Sequence, residues 1–246
     1  MNPKVVLIIQ ARMGSTRLPG KSLMDLVGQP LVGRILERVK RCKLMNEIVL
    51  AVPDTIKDNP LADLSELYGV SLFRGSENDI LDRCYQAALE HGANYVCRLP
   101  ADNPVPEAEE MDRLVTAHID SGFEFSSNLM QVFGNGYPNG IGVEVYNFES
   151  LEIAWKECVD PEKREHFHLN FFNYRDQQPI DPRFRVGTVK CPEQFRRPEL
   201  VLDVNTKEEY VFIRQLYEYL YPNNPEFHIT DIIRWYDEVY IKNKND

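Results

Sequence analysis

The chain predicts an α/β fold: a mostly parallel sheet with helices on both faces. Three observations point there. Val5–Ile9 is a continuous run of apolar, mostly β-branched residues, the pattern of a strand covered on both sides. Strand-like and helix-like segments then alternate through residue 119, as parallel strands joined by crossover helices require. The first strand runs straight into a loop holding Gly14 and Gly20 with Arg12, Arg17 and Lys21, at the sheet edge where open α/β folds bind ligands.

Each element follows from its spacing. Leu31, Ile35, Leu36 and Val39 recur at helical intervals, and Glu47–Val52 is a second apolar run. Leu61, Leu64 and Leu67 predict a short helix, and Val70–Phe73 a short strand. Ile80–Leu89 is helical in pattern, with Asp79 placed to cap it. Tyr95–Leu99 predicts a strand ending in Pro100-Ala101-Asp102, and Glu107–Ile119 a helix. The rhythm then breaks at Gly134–Gly142, a Gly/Asn/Pro-rich loop. Beyond it, strands are expected at Ile141–Tyr146, Phe184–Val189 and Leu200–Val204. Helices are expected at Phe148–Glu157, Glu162–Tyr174, Thr206–Leu220 and from Ile229 to Tyr240. The aromatic residues of the last two read as core.

Bulk composition narrows the function. The 246 residues are 43% hydrophobic, enough for a core that needs no covalent staples. With 28 Lys+Arg against 38 Asp+Glu the net charge is −10, which argues against a nucleic-acid coat but not against a small anion in a local basic pocket. Cys42, Cys84, Cys97, Cys158 and Cys191 form no Cys-x-x-Cys pair, so neither a disulfide framework nor a zinc site is expected. The apolar run ending at Arg12 is too short for a membrane span and lacks a leader's basic start, so a cytoplasmic protein is expected.

The loop after the first strand carries the chemistry. Its glycines allow backbone amides to approach an anion, and its cations supply charge. No Gly-x-Gly-x-x-Gly is present, which excludes the dinucleotide fingerprint. Gly14 and Gly20-Lys21-Ser22 are separated by five residues, one too many for a P-loop, and Asp25, Gly28 and Pro30 intervene before the next helix.

Residues 7–21, Leu-Ile-Ile-Gln-Ala-Arg-Met-Gly-Ser-Thr-Arg-Leu-Pro-Gly-Lys, closely resemble the signature loop of the cytidylyltransferases that activate sugar acids. The branch most resembled is that of spore coat polysaccharide biosynthesis protein F, similar to the enzymes making CMP-Kdo and CMP-sialic acid. The resemblance continues through Gly28-Gln29-Pro30-Leu31, the stretch from Phe73 to Arg83, Arg98 to Pro104, Tyr137 to Tyr146, Arg164-Glu165-His166 and Leu202 to Glu209.

The resemblance implies a Rossmann-like three-layer nucleotide-diphospho-sugar transferase fold over residues 1–246. A nucleotide-binding half at 1–130 would precede an acceptor- or dimer-side segment at 131–198 and a closing strand and helices at 199–246. It implies CTP as co-substrate, bound by Ala11, Arg12, Gly14, Ser15, Lys21, Arg74, Gly75 and Ser76. Arg12, Lys21 and Asp102 would be catalytic, and Asp102 and Asp203 would hold Mg²⁺, a hard cation that prefers carboxylate oxygens. Many relatives carry Asp where Asn205 stands, leaving Asp203 as the full carboxylate of that pair. His166 and His168 read as a core or helical pair, having no third ligand nearby. The acceptor expected is a sugar acid, in surface glycan biosynthesis, and the expected assembly a homodimer. A sugar phosphate, a phosphonate or small phosphorylated acid as acceptor, and a non-catalytic nucleotide-binding homologue, remain open.

Overall fold

A computed structural model describes residues 3–242, so the ends of the 1–246 range lie outside the described residues. The apolar run forms β1 (Val5–Gln10), and its neighbours show why it carries no polar alternation. It pairs in parallel with β2 (Glu47–Pro53) on one side and with β4 (Tyr95–Pro100) on the other. Beyond β2 lies β3 (Ser71–Gly75), also parallel. On the far side of β4 come β6 (Glu144–Asn147), antiparallel, then β5 (Phe125–Ser127) and β9 (Val186–Gly187). The seven strands run in the order β3-β2-β1-β4-β6-β5-β9, and β7 (Phe172–Asn173) and β8 (Gln178–Pro179) make a separate ribbon.

Two hydrophobic cores sit on opposite faces. Leu7, Ile9, Leu50, Cys97 and Leu99 point to one, beneath α1 (Leu31–Val39), α4 (Ala108–Ser121), α7 (Lys207–Leu220) and α8 (Ile229–Trp235). Helix α2 (Asn59–Leu67) packs on the same face. Val6, Ile8, Val49, Ala51 and Val96 point to the other, beneath α3 (Ile80–Glu90), α5 (Phe148–Glu157) and the rings of Phe167, Phe171 and Phe172. Alternate residues of each central strand thus enter different cores, which leaves β1 and β4 covered on both faces except at their ends.

The caps follow the sequence. The Asp79 carboxylate accepts the Asp82 amide at 2.9 Å and starts α3. Thr206 and Glu209 form a reciprocal capping box on α7, with the Thr206 amide donating to Glu209 at 2.8 Å. Thr206→Ala is expected to lower stability by about 1 kcal/mol. Urea denaturation would read it, and an unchanged midpoint would contradict the cap.

Four expected elements differ. Leu200–Val204 is extended, but it makes only one bridge, Val201 to Asn139, and joins no sheet. Its amides instead bond the loops: Leu202 to the Asn139 carbonyl at 3.1 Å and Val204 to the Asp102 carbonyl at 2.7 Å. The helix expected at Glu162–Tyr174 breaks into α6 (Pro161–Glu165), a 3-10 turn at Phe167–Asn170, and β7. The Asn170 amide takes the Lys163 and Phe167 carbonyls, both at 3.0 Å, and so ends the turn. The strand at Phe184–Val189 shrinks to β9, and Ile141–Tyr146 shifts to β6. Strand β5 has a polar Ser126-Ser127 pair that gives no strand pattern, yet it is fully buried between β6 and β9.

Candidate active site

A cavity of about 350 Å³ opens at the carboxyl edge of β1 and β4, where the first loop meets the segment after β4, the stretch leading into β6, and the segments around Glu165 and Asp203. The loop is preformed. Gly20 adopts φ 71°, a left-handed conformation that favours glycine, and there starts the 3-10 turn at Lys21–Leu23. The Ser15 amide bonds the Met13 carbonyl at 3.0 Å, and the Met13 amide bonds the buried Asp58 at 2.8 Å.

The structure brings Lys21 to both carboxylate segments. Its ammonium donates to Asp102 Oδ2 and to the Val204 carbonyl, each at 2.8 Å, and lies 3.5 Å from Asn205 Oδ1. Arg17 donates to the same Asn205 oxygen at 2.8 Å, and Asn205 in turn donates to Asp203. Burial raises the Asp203 carboxyl above its ordinary range, and the charge of Asp102 adds to the rise. Two carboxylates that repel each other in a half-dry site are relieved by a cation between them. Gly140 makes that approach possible: with φ 93°, a Cβ there would stand 3.0 Å from the Asp203 amide nitrogen and 3.0 Å from Asn103 Oδ1.

Of the residues expected at the site, Ala11, Arg12, Ser15, Lys21, Asp102 and Asp203 line this cavity. Arg12 pairs with Glu165 at 2.9 Å on its rim. Gly14 belongs to the same loop but faces Lys57. Arg74, Gly75 and Ser76 are not brought to the cavity. Arg74 is spent on Asp54 at 3.0 Å and on the Thr55 carbonyl and Asn59, both at 2.9 Å, fastening the end of β3 to the β2–α2 connection. Ser76 serves the turn into α3, accepting the Asp79 amide at 3.1 Å.

The cavity wall also holds Arg83 and Arg98, together with Glu144, Glu165 and His168 of the segment 131–198 expected on the acceptor or dimer side. Arg98 and Glu144 are register partners on β4 and β6 and form a buried ion pair at 2.9 Å. Burial raises the Glu144 carboxyl, but Arg98, His168 and the Tyr146 hydroxyl outweigh it and bring it down to about 2. Arg98 also donates to Gln10 at 3.1 Å. The visible signal was a charge inside each apolar strand, Arg98 in Tyr-Val-Cys-Arg-Leu-Pro and Glu144 in Gly-Val-Glu-Val-Tyr. His166 also lines the cavity, and burial followed by His168 lowers its pKa.

A glycine-bearing basic loop facing two carboxylates across one cavity can hold a polyphosphate together with a cation. The family model described as cytidylyltransferase matches residues 6–227. The chain belongs to the cytidylyltransferase family. It is 33% identical over 219 residues to spore coat polysaccharide biosynthesis protein SpsF of Bacillus subtilis, covering 87% of this chain and 86% of that one. It is 33% identical over 226 residues to 3-deoxy-manno-octulosonate cytidylyltransferase of Chloroherpeton thalassium, covering 86% and 88%. A solved cytidylyltransferase structure from Leptospira borgpetersenii superposes with a TM-score of 0.84 at 28% identity, over 99% of this chain and 96% of that one. The cytidylyltransferase fold is Rossmann-like, its nucleotidyltransferase activity is a property of the family, and no helix among the described residues is long and apolar enough to cross a membrane.

Proposed function

We propose that the protein transfers CMP from CTP to a sugar acid, releasing pyrophosphate, in the assembly of a surface glycan. The observation that carries the reading is the convergence of Lys21 with Asp102, Asn205 and Asp203 in one cavity beside the first loop. The SpsF and 3-deoxy-manno-octulosonate relatives support the acceptor class.

The chemistry follows from the charges. An acceptor oxygen attacks the α-phosphorus, the bond to the β-phosphate bridging oxygen breaks, and pyrophosphate leaves with that electron pair. Charge crowding around phosphorus sets the barrier, so positioned cations supply most of the catalysis. The Arg12 and Arg17 guanidiniums line the cavity and would meet the incoming phosphates. Lys21 exchanges its carboxylate for a phosphate oxygen and neutralises the leaving group.

The donor set fits a divalent cation. Asp102 and Asp203 offer hard oxygens, and burial, with the nearby charge of Asp102, raises the Asp203 carboxyl, which a cation would relieve. Among the described residues no group of three His, Cys, Asp or Glu converges, so phosphate oxygens and water would complete the shell, as Mg²⁺ commonly accepts. Such an ion would polarise the α-phosphate and orient the acceptor oxygen.

Pyrophosphate release with CTP against a panel of sugar acids, sugar phosphates and phosphorylated small acids tests the reading. Turnover with a sugar acid is expected. Turnover confined to a phosphorylated acceptor would replace the acceptor class, and none with any acceptor would favour a binding protein. Melting with each of the four NTPs is expected to show a CTP-selective rise that needs Mg²⁺, of roughly 2.7 kcal/mol at a hundredfold excess over Kd. An equal response to all four would remove the cytidine preference. A homodimer is further proposed, and light scattering of the full chain would test it.

A further inference from the structure

Arg83 has no partner equal to its charge. It projects from α3 into the cavity wall, is 1% exposed, and donates only to the Ser76 carbonyl at 2.5 Å. Its Nε is buried with no hydrogen-bond partner, and among the described residues it makes no ion pair. The other buried cation of this wall, Arg98, is matched by Glu144. At the rim Arg12 has Glu165, and across the cavity Lys21 has Asp102. Burial foremost disfavours the charge of Arg83, and Arg12 and Arg98 add to that, while Asp58, the carboxylate favouring it, is held by the Met13 amide and the Thr55 hydroxyl. A buried guanidinium with unmet donors is costly unless a ligand supplies the anion.

The position says which ligand. Gln10, Arg98 and Glu144 lie on the α3 face of the sheet, continuing the side of Ile8, Val96 and Tyr146. Lys21, Asp102 and Asn205 lie by the opposite core, next to Ala101, Leu202 and Val204. One cavity therefore has a phosphate end and a separate pit. In-line transfer places the acceptor on the side of the α-phosphorus away from the departing pyrophosphate. Arg83 and Arg98 against Glu144 leave one positive charge in the pit, the complement of a monoanion and not of a phosphate dianion.

We propose that Arg83 binds the carboxylate of the acceptor in this pit, and so selects sugar acids over sugar phosphates. The inference rests on the nucleotidyl-transfer reading above. It adds a specificity-determining residue and a charge for its second substrate.

Saturation-transfer NMR on the full chain tests it with pyruvate as a minimal 2-oxo acid, methyl pyruvate as its uncharged counterpart, and CMP. Wild type is expected to transfer saturation to pyruvate and CMP but not to methyl pyruvate. Arg83→Gln should lose the pyruvate signal and keep that of CMP, while Arg83→Lys, which retains the charge, should keep part of both. For any sugar acid that the pyrophosphate screen returns, Arg83→Gln should raise the acceptor KM at least ~30-fold and leave the KM for CTP nearly unchanged. Equal pyruvate signals in wild type and Arg83→Gln, or none in wild type, would overturn the proposal. So would loss of the CMP signal in Arg83→Gln with that of pyruvate intact, since Arg83 would then read the nucleotide. A wild-type protein that binds no CMP would instead count against nucleotidyl transfer, whatever pyruvate does.

Discussion

Asp102→Ala is expected to lower kcat by roughly 10²–10³-fold, the scale of removing one charge-stabilising group from a transition state. The carboxylate holds Lys21 at 2.8 Å in the cavity, and under the proposed function it would also, with Asp203, present hard oxygens to a divalent cation. Removing it leaves the ammonium with only the Val204 carbonyl and Asn205, so Lys21 is misplaced as well. Lys21→Ala should lose a comparable factor, and the double variant should lose little more than either alone, because the two groups act as a unit. Both side chains are partly exposed, at 13% for Lys21 and 25% for Asp102, so the fold should survive either change. Turnover of Asp102→Ala within a few-fold of wild type, with a normal melting curve, would remove it from the machinery.

Glu144→Ala should be the more damaging change to stability. Glu144 is fully buried and answers Arg98, and breaking such a pair from one side costs about 3–5 kcal/mol by leaving a bare buried charge. In a chain of this size each kcal/mol shifts Tm by about 2–4 °C, so the variant should melt well below wild type. Replacing both partners, Arg98→Met with Glu144→Met, should recover most of the loss, because no orphan charge remains. The pH dependence has a definite sign. The folded carboxyl titrates at about 2, below its ordinary 4.5, so its stabilisation is complete above pH 4.5 and disappears as the pH falls toward 2. Glu144→Gln should flatten stability across that acid window. Equal slopes for wild type and Glu144→Gln would mean that the pair carries no net coupling.

How much was legible can be argued from these same residues. Val5–Ile9 and the loop to Lys21 are local patterns: one strand wholly apolar, then glycines and cations in close order. The cap at Asp79 is local too, and the structure contains it. Arg74 does not line the cavity, because Asp54 and Asn59 hold its guanidinium at the end of β3. The helix expected across Glu162–Tyr174 failed because Phe167, Phe171 and Phe172 are packed by a core assembled from distant strands.

The sequence by itself determined the layered α/β architecture, the glycine- and cation-bearing loop after β1 and the resemblance to cytidylyltransferases, because strand burial, turn chemistry and a contiguous signature are properties of neighbouring residues. Tertiary structure alone decided which charges meet. Lys21 reaches Asp102, Arg12 reaches Glu165, Arg98 finds Glu144 across the β4–β6 register, and Arg83 makes no ion pair among the described residues. Each of those outcomes depends on sheet order and on which face a side chain takes. A spacing along the chain cannot encode them, since they arise only when strands far apart in sequence are set side by side.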